Sequence, residues 1–339
     1  MIDVAIDARV TPRMSAGMRA YLAALLDGLP RVAPDIRVHA VGSGGNFGWR
    51  EQVALPAEIR RIGPALTHYP TIFTPLLRSQ PYVAMVHDLI HLDLPQYFGP
   101  ATAVHYALLA KPMLRAAALL LMSDERTAAA CERHLGVPRE RCRIVPLGYD
   151  PALLIAGEPL RPPRPFLLYA GNHRPHKNLR LLYEAWAALP EAVALDLEVT
   201  GADDPAARAT YARARGELRF LGLLPATELA RRYRAALAYV HPALAEGFGI
   251  PMLEALAVGT PVLASATAVP ALLEPYAKTF SPHDALALRA LLMDVATDPA
   301  PYRRRAAEGS VALRAYTWDR FAAGTAAMYR EVVDGFGRA

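Results

Sequence analysis

The residues Ala245–Ala264 read AEGFGIPMLEALAVGTPVLA and place two carboxylates, Glu246 and Glu254, eight positions apart around a glycine turn. A carboxylate can accept hydrogen bonds from two neighbouring hydroxyls at once. Gly247 and Gly249 carry no side chain to block a close backbone approach. Pro251 suits a first helical turn, and Gly259 followed by Pro261 suits a helix stop, so 251–258 is expected to be a short helix. Its N-terminus adds about half a positive charge, which favours an anion. Two carboxylates flanking an anion-binding turn suit a ligand with hydroxyls at both ends and phosphate between. A nucleotide sugar has that anatomy. The bland alternative is one helix-dipole glutamate and one surface glutamate.

A second candidate lies in YAGNHRPHKNLRLL, 169–182, where Arg174 and Lys177 fall in a loop between a strand and an apolar-periodic helix. Fixed cations beside a helix N-terminus are what a diphosphate needs, although a solvated basic loop has the same composition. In SAGMRAY, 15–21, Gly17 opens a helix and would let backbone N–H groups approach an anion. HDLIH, 87–91, mimics a zincin helix, but YVAMV before it reads as a strand and Asp88 stands where the zincin glutamate belongs. His87 is therefore expected at the carboxyl edge of a sheet, and no metal site is expected. GSGGNFG, 42–48, resembles a dinucleotide fingerprint but has Phe47 in place of the third glycine, so a flexible surface loop is expected.

The elements that must position these residues alternate short apolar runs with helical segments, which is the pattern of parallel α/β sheets. Strands are expected at 2–7, 36–41, 82–86, 118–122 and 143–146, then at 166–170, 195–200, 218–221, 237–240 and 262–264. Helices are expected at 17–29, 126–135, 178–189, 226–235, 251–258, 284–296 and 318–335. The proline-rich GYDPALLIAGEPLRPPRP, 148–165, reads as a linker between two doubly wound domains, 1–150 and 151–318, followed by a C-terminal helix, 319–339, that returns towards the first. In such sheets ligands bind at the carboxyl ends of strands, at topological switch points. Two such domains face to face would form a cleft.

The 339 residues are 53% hydrophobic and 20% charged, a globular composition large enough for two cores. Cys131 and Cys142 fit neither a disulfide framework nor a zinc ribbon. The N-terminus lacks a basic leader, so a cytoplasmic location is expected. The apolar stretch 101–122 is broken by His105, Lys111, Pro112 and Arg115 and reads as a buried helix running into a buried strand. Net charge is +5, divided between 16 Lys+Arg against 13 Asp+Glu in residues 1–150 and 21 against 19 thereafter. Neither half is a polycation, so nucleic acid is not an expected partner, whereas peripheral contact with an anionic membrane is compatible.

HPALAEGFGIPMLEALAVGTPVLAS closely resembles the donor-site signature of the family 4 retaining glycosyltransferases, which have the GT-B fold of two Rossmann-like domains facing across a cleft. IDARVTPRMSAGMRAYLAALLDGL resembles the family's opening strand, glycine loop and helix, MVHDLIHLDLPQYF its central histidine segment, and LLYAGNHRPHKNLRLLYEAW a second-domain landmark. Nearly the whole chain is covered. The resemblance implies that Glu246 contacts hydroxyls of the transferred sugar and Glu254 holds ribose hydroxyls. Backbone N–H groups around Gly247, Phe248, Gly249 and Ile250 would lie near sugar or phosphate. Lys177, with Arg174 assisting, would neutralise the diphosphate, Gly17 would approach it from the first domain, and His87 would sit near the reacting centre. The implied activity is retaining, metal-independent hexose transfer without cofactor, from a GDP- or UDP-sugar to a glycan or lipid-linked glycan in cell-surface polysaccharide (lipopolysaccharide) synthesis. Mannose is the first expectation for the hexose. A nucleotide-sugar epimerase or hydrolase on the same fold, or a non-catalytic partner subunit, remains the alternative. Departures from the family pattern are Asn172 after Gly171, where arginine is frequent, Ala243 after Pro242, and Ala271 after Pro270.

Overall fold

The computed structural model describes residues 1–11, 14–43, 49–78, 81–158 and 160–336. The chain divides into two compact units, Met1–Gly148 with Tyr316–Ala339, and Tyr149–Ala315. The divisions fall after residues 148 and 315 rather than after 150 and 318. Gly148 explains the first: a Cβ there would lie 2.2 Å from the Thr317 carbonyl carbon, so the outgoing and returning segments touch backbone to backbone.

The first unit is a six-stranded parallel sheet of β1 (Ile2–Asp7), β2 (Ile36–Val41), β3 (Leu66–Tyr69), β4 (Tyr82–Met85), β5 (Leu119–Met122) and β6 (Cys142–Ile144). Its order is β2-β1-β3-β4-β5-β6. β3 is absent from the sequence expectations because Pro64, Pro70 and Pro75 make its surroundings read as loop. Its polar residues Thr67 and His68 are nevertheless buried, and Val4 pairs with Leu66. His68 connects two helices: its Nε2 lies 2.9 Å from the Tyr21 hydroxyl and its Nδ1 contacts the Tyr329 hydroxyl. Burial, with His87 nearby, pushes the His68 ring down to about 3, so it stays neutral. The helix Trp318–Phe336 is tied to this unit there and through the Arg330–Asp35 ion pair, 2.6 Å.

The segment Pro100–Ala116 is helical with a π-turn at Tyr106–Ala110 and runs into β5. It is not the fully buried helix expected. Tyr106, Ala110, Met113 and Leu114 face the core, whereas Val104 and Leu108 are 55% and 69% exposed. Among the described residues no helix is long and apolar enough to cross a membrane. Of the glycine-rich stretch, Gly42 and Ser43 are described, and 44–48 lie outside the described residues. Gly42 is in the left-handed region, φ 91°, and a Cβ there would meet Arg9 Cγ at 2.9 Å.

The second unit is also six parallel strands: β7 (Phe166–Tyr169), β8 (Asp196–Val199), β9 (Leu218–Phe220), β10 (Ala238–His241), β11 (Val262–Ser265) and β12 (Lys278–Phe280). Their order is β12-β11-β10-β7-β8-β9. β7, β8, β10 and β11 are buried along their whole lengths, as parallel strands covered on both faces must be. The short polar β12 was not expected from sequence.

The proline-rich stretch after Gly148 is not a free tether. Asp150 caps a helix, Pro151–Ile155, by accepting from Ala152 N at 2.9 Å. Arg234 then donates to the carbonyls of Leu154, Ala156 and Gly157 at 2.7–2.8 Å, which clamps the segment to the second unit. A proline in the first turn marks the helix start here as it does at Pro251, with Asp150 adding a side-chain cap.

Candidate functional site

In the second unit the chain runs outward through β7, β8 and β9 and then crosses back to β10, which pairs with β7 on its other side. The β7/β10 boundary is therefore the topological switch point, where the loops leaving the two strands diverge and open a crevice. Lys177 comes from the loop after β7 and Glu246 from the loop after β10. They are 69 positions apart, and Lys177 Nζ donates to Glu246 Oε2 at 2.5 Å.

The lysine loop is held by local geometry. Pro175–Lys177 forms a 3-10 turn and Asn178 follows at φ 55°, left-handed for a residue other than glycine. Asn178 Nδ2 offsets that cost by donating to the Pro242 and Pro282 carbonyls, at 3.1 and 2.9 Å. Leu244 N donates to the His176 carbonyl at 2.8 Å, which ties the two loops together again. Asn172, which replaces the usual arginine, accepts from Arg174 N at 3.2 Å. Arg174 is exposed, and among the described residues its guanidinium has no ion-pair or hydrogen-bond partner.

Gly249, at φ 75°, precedes the helix Ile250–Ala257, whose second residue is Pro251. This is the expected strand–loop–helix unit, shifted by one residue. Gly247 N donates to Glu246 Oε1 at 3.1 Å, and Phe248 is buried beneath the turn. Ile250 starts the helix and its N–H precedes the first intrahelical bond; Pro251 has no N–H, and Met252 N and Leu253 N donate to the Gly249 carbonyl at 2.9 and 3.2 Å. Glu254 lies one turn further on and accepts from the buried Tyr233 hydroxyl at 3.1 Å.

The two glutamates have opposite electrostatics. Burial alone would raise the Glu246 carboxyl, but the Lys177 ammonium and the His241 ring outweigh it and hold Glu246 below the usual carboxylate range. Among the described residues no cation pairs with Glu254. Burial raises it to about 7, offset only partly by the Tyr233 hydrogen bond. The charged form is thus favoured at Glu246 and disfavoured at Glu254.

Sequence reasoning missed His241, the last residue of β10, whose Nε2 lies 3.1 Å from Glu246 Oε2. The signal was available: a histidine closing an apolar strand at a sheet's carboxyl edge, the argument already applied to His87. Asn178 and Tyr233 were missed because their roles depend on partners distant in sequence.

His87 and Gly17 belong to the first unit. His87 follows β4; its Nε2 lies 3.0 Å from the Pro70 carbonyl, and its ring meets Tyr21 edge to face at 5.0 Å. A carbonyl can only accept, so Nε2 carries the proton and a neutral ring keeps its lone pair on Nδ1. Burial lowers the His87 pKa, partly opposed by Asp88 and the Pro70 carbonyl. Gly17 is the second residue of the helix Ala16–Val32, which is capped by Ser15. A small pocket lies at this unit's own switch point, β1/β3, lined by Asp7, Arg9, Met14, Pro70 and Phe73 among others. Arg9 there bridges Asp7 at 2.6 Å and Glu51 at 3.4 Å. Among the described residues no group of three or more His, Cys, Asp or Glu side chains could hold a metal ion.

Two six-stranded parallel sheets, with a carboxylate–lysine pair at the second one's switch point, define a doubly wound α/β class of protein. Comparison with known proteins agrees. Residues 16–153 match the profile described as Glycosyltransferase Family 4, and residues 154–310 match Glycosyl transferases group 1. The chain belongs to this family of GT-B glycosyltransferases. It is 28% identical to the O-antigen chain mannosyltransferase B of Escherichia coli over 173 residues, 49% of this chain and 45% of that protein. Among solved structures it resembles a sucrose-phosphate synthase from Thermosynechococcus elongatus, with a TM-score of 0.78 and 20% identity over 99% of this chain and all of the other. It also resembles Anabaena Alr3699/HepE in complex with UDP and glucose, with a TM-score of 0.71 and 15% identity over 98% of this chain and all of that one. The chain spans less than half the length of the curated relatives it matches.

Proposed function

We propose that the protein is a retaining hexosyltransferase that takes a hexose, mannose first, from a nucleotide sugar and places it on a glycan or lipid-linked glycan. The observation that carries this reading is the meeting of Lys177 and Glu246 at the β7/β10 switch point, beside the helix that carries Glu254. Glu254 accepts the ribose hydroxyls, Lys177 and the N–H of Ile250 face the diphosphate, and Glu246 accepts hydroxyls of the hexose. Exposed Arg174 supplies a second cation. The anomeric C–O bond breaks, its electron pair passes to the diphosphate oxygen, and Lys177 with the helix N-terminus stabilises that charge. The acceptor hydroxyl attacks from the same face and its proton passes to the departing phosphate. The side-chain and dipole charges fill the part a metal ion would play, so turnover is expected to survive EDTA. His87 and Gly17 are the first unit's candidates for the same reaction.

The mannose assignment draws on the name of the E. coli relative, and nucleotide binding on the HepE complex. The test is calorimetry with GDP, UDP and their hexose conjugates in EDTA, followed by transfer assays with Glu246→Ala as control. Transfer with retained configuration, lost in that variant, supports the reading. Sugar epimerisation or hydrolysis without acceptor would replace it with the epimerase alternative. Donor binding without turnover on any acceptor would indicate a non-catalytic subunit.

A lipid-linked acceptor and peripheral contact with an anionic membrane, on the cytoplasmic side, are part of the proposal. Trp49, Val53, Leu76 and Leu77 are 63–72% exposed, and Leu76 N donates to Gln52 Oε1 at 2.9 Å, which joins their two segments. Phe73 stacks near His105 at 5.2 Å, which brings in the exposed Val104 and Leu108. From 94 to 123 there is no Asp or Glu, while Lys111 and Arg115 are present. An apolar surface that includes the basic, acid-free stretch 94–123 complements an anionic lipid headgroup layer. Sedimentation with phosphatidylglycerol vesicles at low salt is expected, and is expected to fall in Leu76→Asp/Leu77→Asp. No sedimentation of the wild type would refute the contact.

A further inference from the structure

We infer that His241 is a positioning residue that keeps Glu246 aimed at the sugar when the diphosphate draws Lys177 away. The inference rests on the nucleotide-sugar reading. Glu246 is held at both oxygens: Oε1 accepts from Gly247 N, while Oε2 is shared by Lys177 Nζ at 2.5 Å and His241 Nε2 at 3.1 Å. Lysine is a compact charge on a flexible stem and follows the stronger anion. A diphosphate in the crevice therefore competes with Glu246 for Lys177. The imidazole cannot follow. His241 is 2% exposed and its ring stacks between Tyr169 and Tyr239, at 6.4 and 6.0 Å.

The proton arrangement follows from the neighbours. Tyr239 Oη lies 3.0 Å from His241 Nδ1 and 3.1 Å from the Ala170 carbonyl. A phenol has one proton. If it went to Ala170, Nδ1 would carry a proton, and a neutral ring would turn its lone pair on Nε2 against the Glu246 carboxylate. Burial, aided by the Lys177 charge and opposed by Glu246, lowers the His241 pKa and favours the neutral ring. A neutral ring with Nε2–H directed at Glu246 has Tyr239 donating to Nδ1, at the expense of its bond to the Ala170 carbonyl. Tyr239 thus sets the tautomer, and His241 anchors the carboxylate from the floor of the crevice. Nε2 lies 3.1 Å from Oε2 without making a well-aligned hydrogen bond while Lys177 holds the same oxygen, so the contact has room to improve when Lys177 moves.

The experiment is calorimetry of GDP against GDP-mannose, and UDP against UDP-glucose, on the whole chain and on His241→Phe, His241→Gln and Tyr239→Phe. His241→Phe keeps the ring stack and removes the donor. It is expected to weaken nucleotide-sugar binding about tenfold or more while leaving the nucleoside diphosphate within about twofold, because a hydrogen bond to a charged group is lost only from the sugar's partner. His241→Gln restores a donor and is expected to recover most of the difference. Tyr239→Phe leaves the ring in place and is expected to shift the ratio in the same direction by less; it carries the test if His241→Phe does not fold. Equal weakening of both ligands, or an unchanged ratio, would overturn the inference. If the wild type binds none of the four ligands, the nucleotide-sugar reading fails with it, and that failure shows in the wild type alone.

Discussion

Glu254 is expected to couple pH to both stability and ligand affinity, with opposite signs. Burial raises its carboxyl from 4.5 to about 7. The folded protein therefore keeps a proton there that the unfolded chain releases, and this group's contribution to stability falls as pH rises through that window and is level above it. At ~1.4 kcal/mol per unit, the whole window amounts to about 3 kcal/mol. Glu254→Gln has the same shape and no charge to bury. Its stability advantage over the wild type is expected to grow by about 2 kcal/mol between pH 5.5 and 8. Urea denaturation followed by Trp186, the one tryptophan in Tyr149–Ala315, reads this directly in a background with Trp49 and Trp318 replaced by Phe. Ribose hydroxyls need the ionised acceptor. A group titrating near 7 is about one-tenth ionised at pH 6 and nine-tenths at pH 8, so nucleotide-sugar affinity is expected to rise about tenfold over that range in the wild type. In Glu254→Gln the affinity should be weak and flat. A stability gap that does not change with pH, or the same pH slope of affinity in both proteins, would refute the reasoning.

Glu246→Gln leaves the buried Lys177 ammonium without its carboxylate and is expected to cost about 3 kcal/mol or more, part of which Lys177→Met should recover in the double variant; urea denaturation measures both. Asn178→Ala loses two hydrogen bonds and forces a Cβ residue with no local compensation into φ 55°, whereas Asn178→Gly loses only the bonds, so the glycine variant is expected to be more stable by about 1 kcal/mol. An alanine variant as stable as the glycine one would contradict this strain argument. Gly148→Ala sets a Cβ against the Thr317 backbone, which cannot rotate aside; a loss of about 2 kcal/mol is expected, with faster amide exchange in 316–336 as the local readout.

Some features were legible because they are local. The strand–turn–helix around Glu246 and Glu254 needs only Gly249 in the left-handed region, Pro251 in the first turn and an apolar helix face, all within a few residues. The parallel α/β class follows from alternating apolar runs and helical periods over most of the chain. β3 escaped notice because its prolines argue for loop, while its pairing with β1 and β4 is worth more than that local preference. The segment after Gly148 looked like a tether because its prolines were visible and its arginine clamps, nearly eighty positions away, were not.

From the amino-acid order alone one could determine which residues have the right chemistry: a lysine, a carboxylate and a glycine turn in loops after strands, and a second carboxylate in the helix that follows. Their electrostatic state came only from the tertiary structure. Sheet order makes β7 and β10 neighbours and so joins Lys177 to Glu246 across 69 positions. Burial raises both carboxyls, but the Lys177 ammonium and the His241 ring reverse the shift at Glu246, whereas among the described residues Glu254 is offset only by the Tyr233 phenol. Spacing along a chain is a local property, whereas desolvation and charge pairing are set by whatever the fold packs alongside.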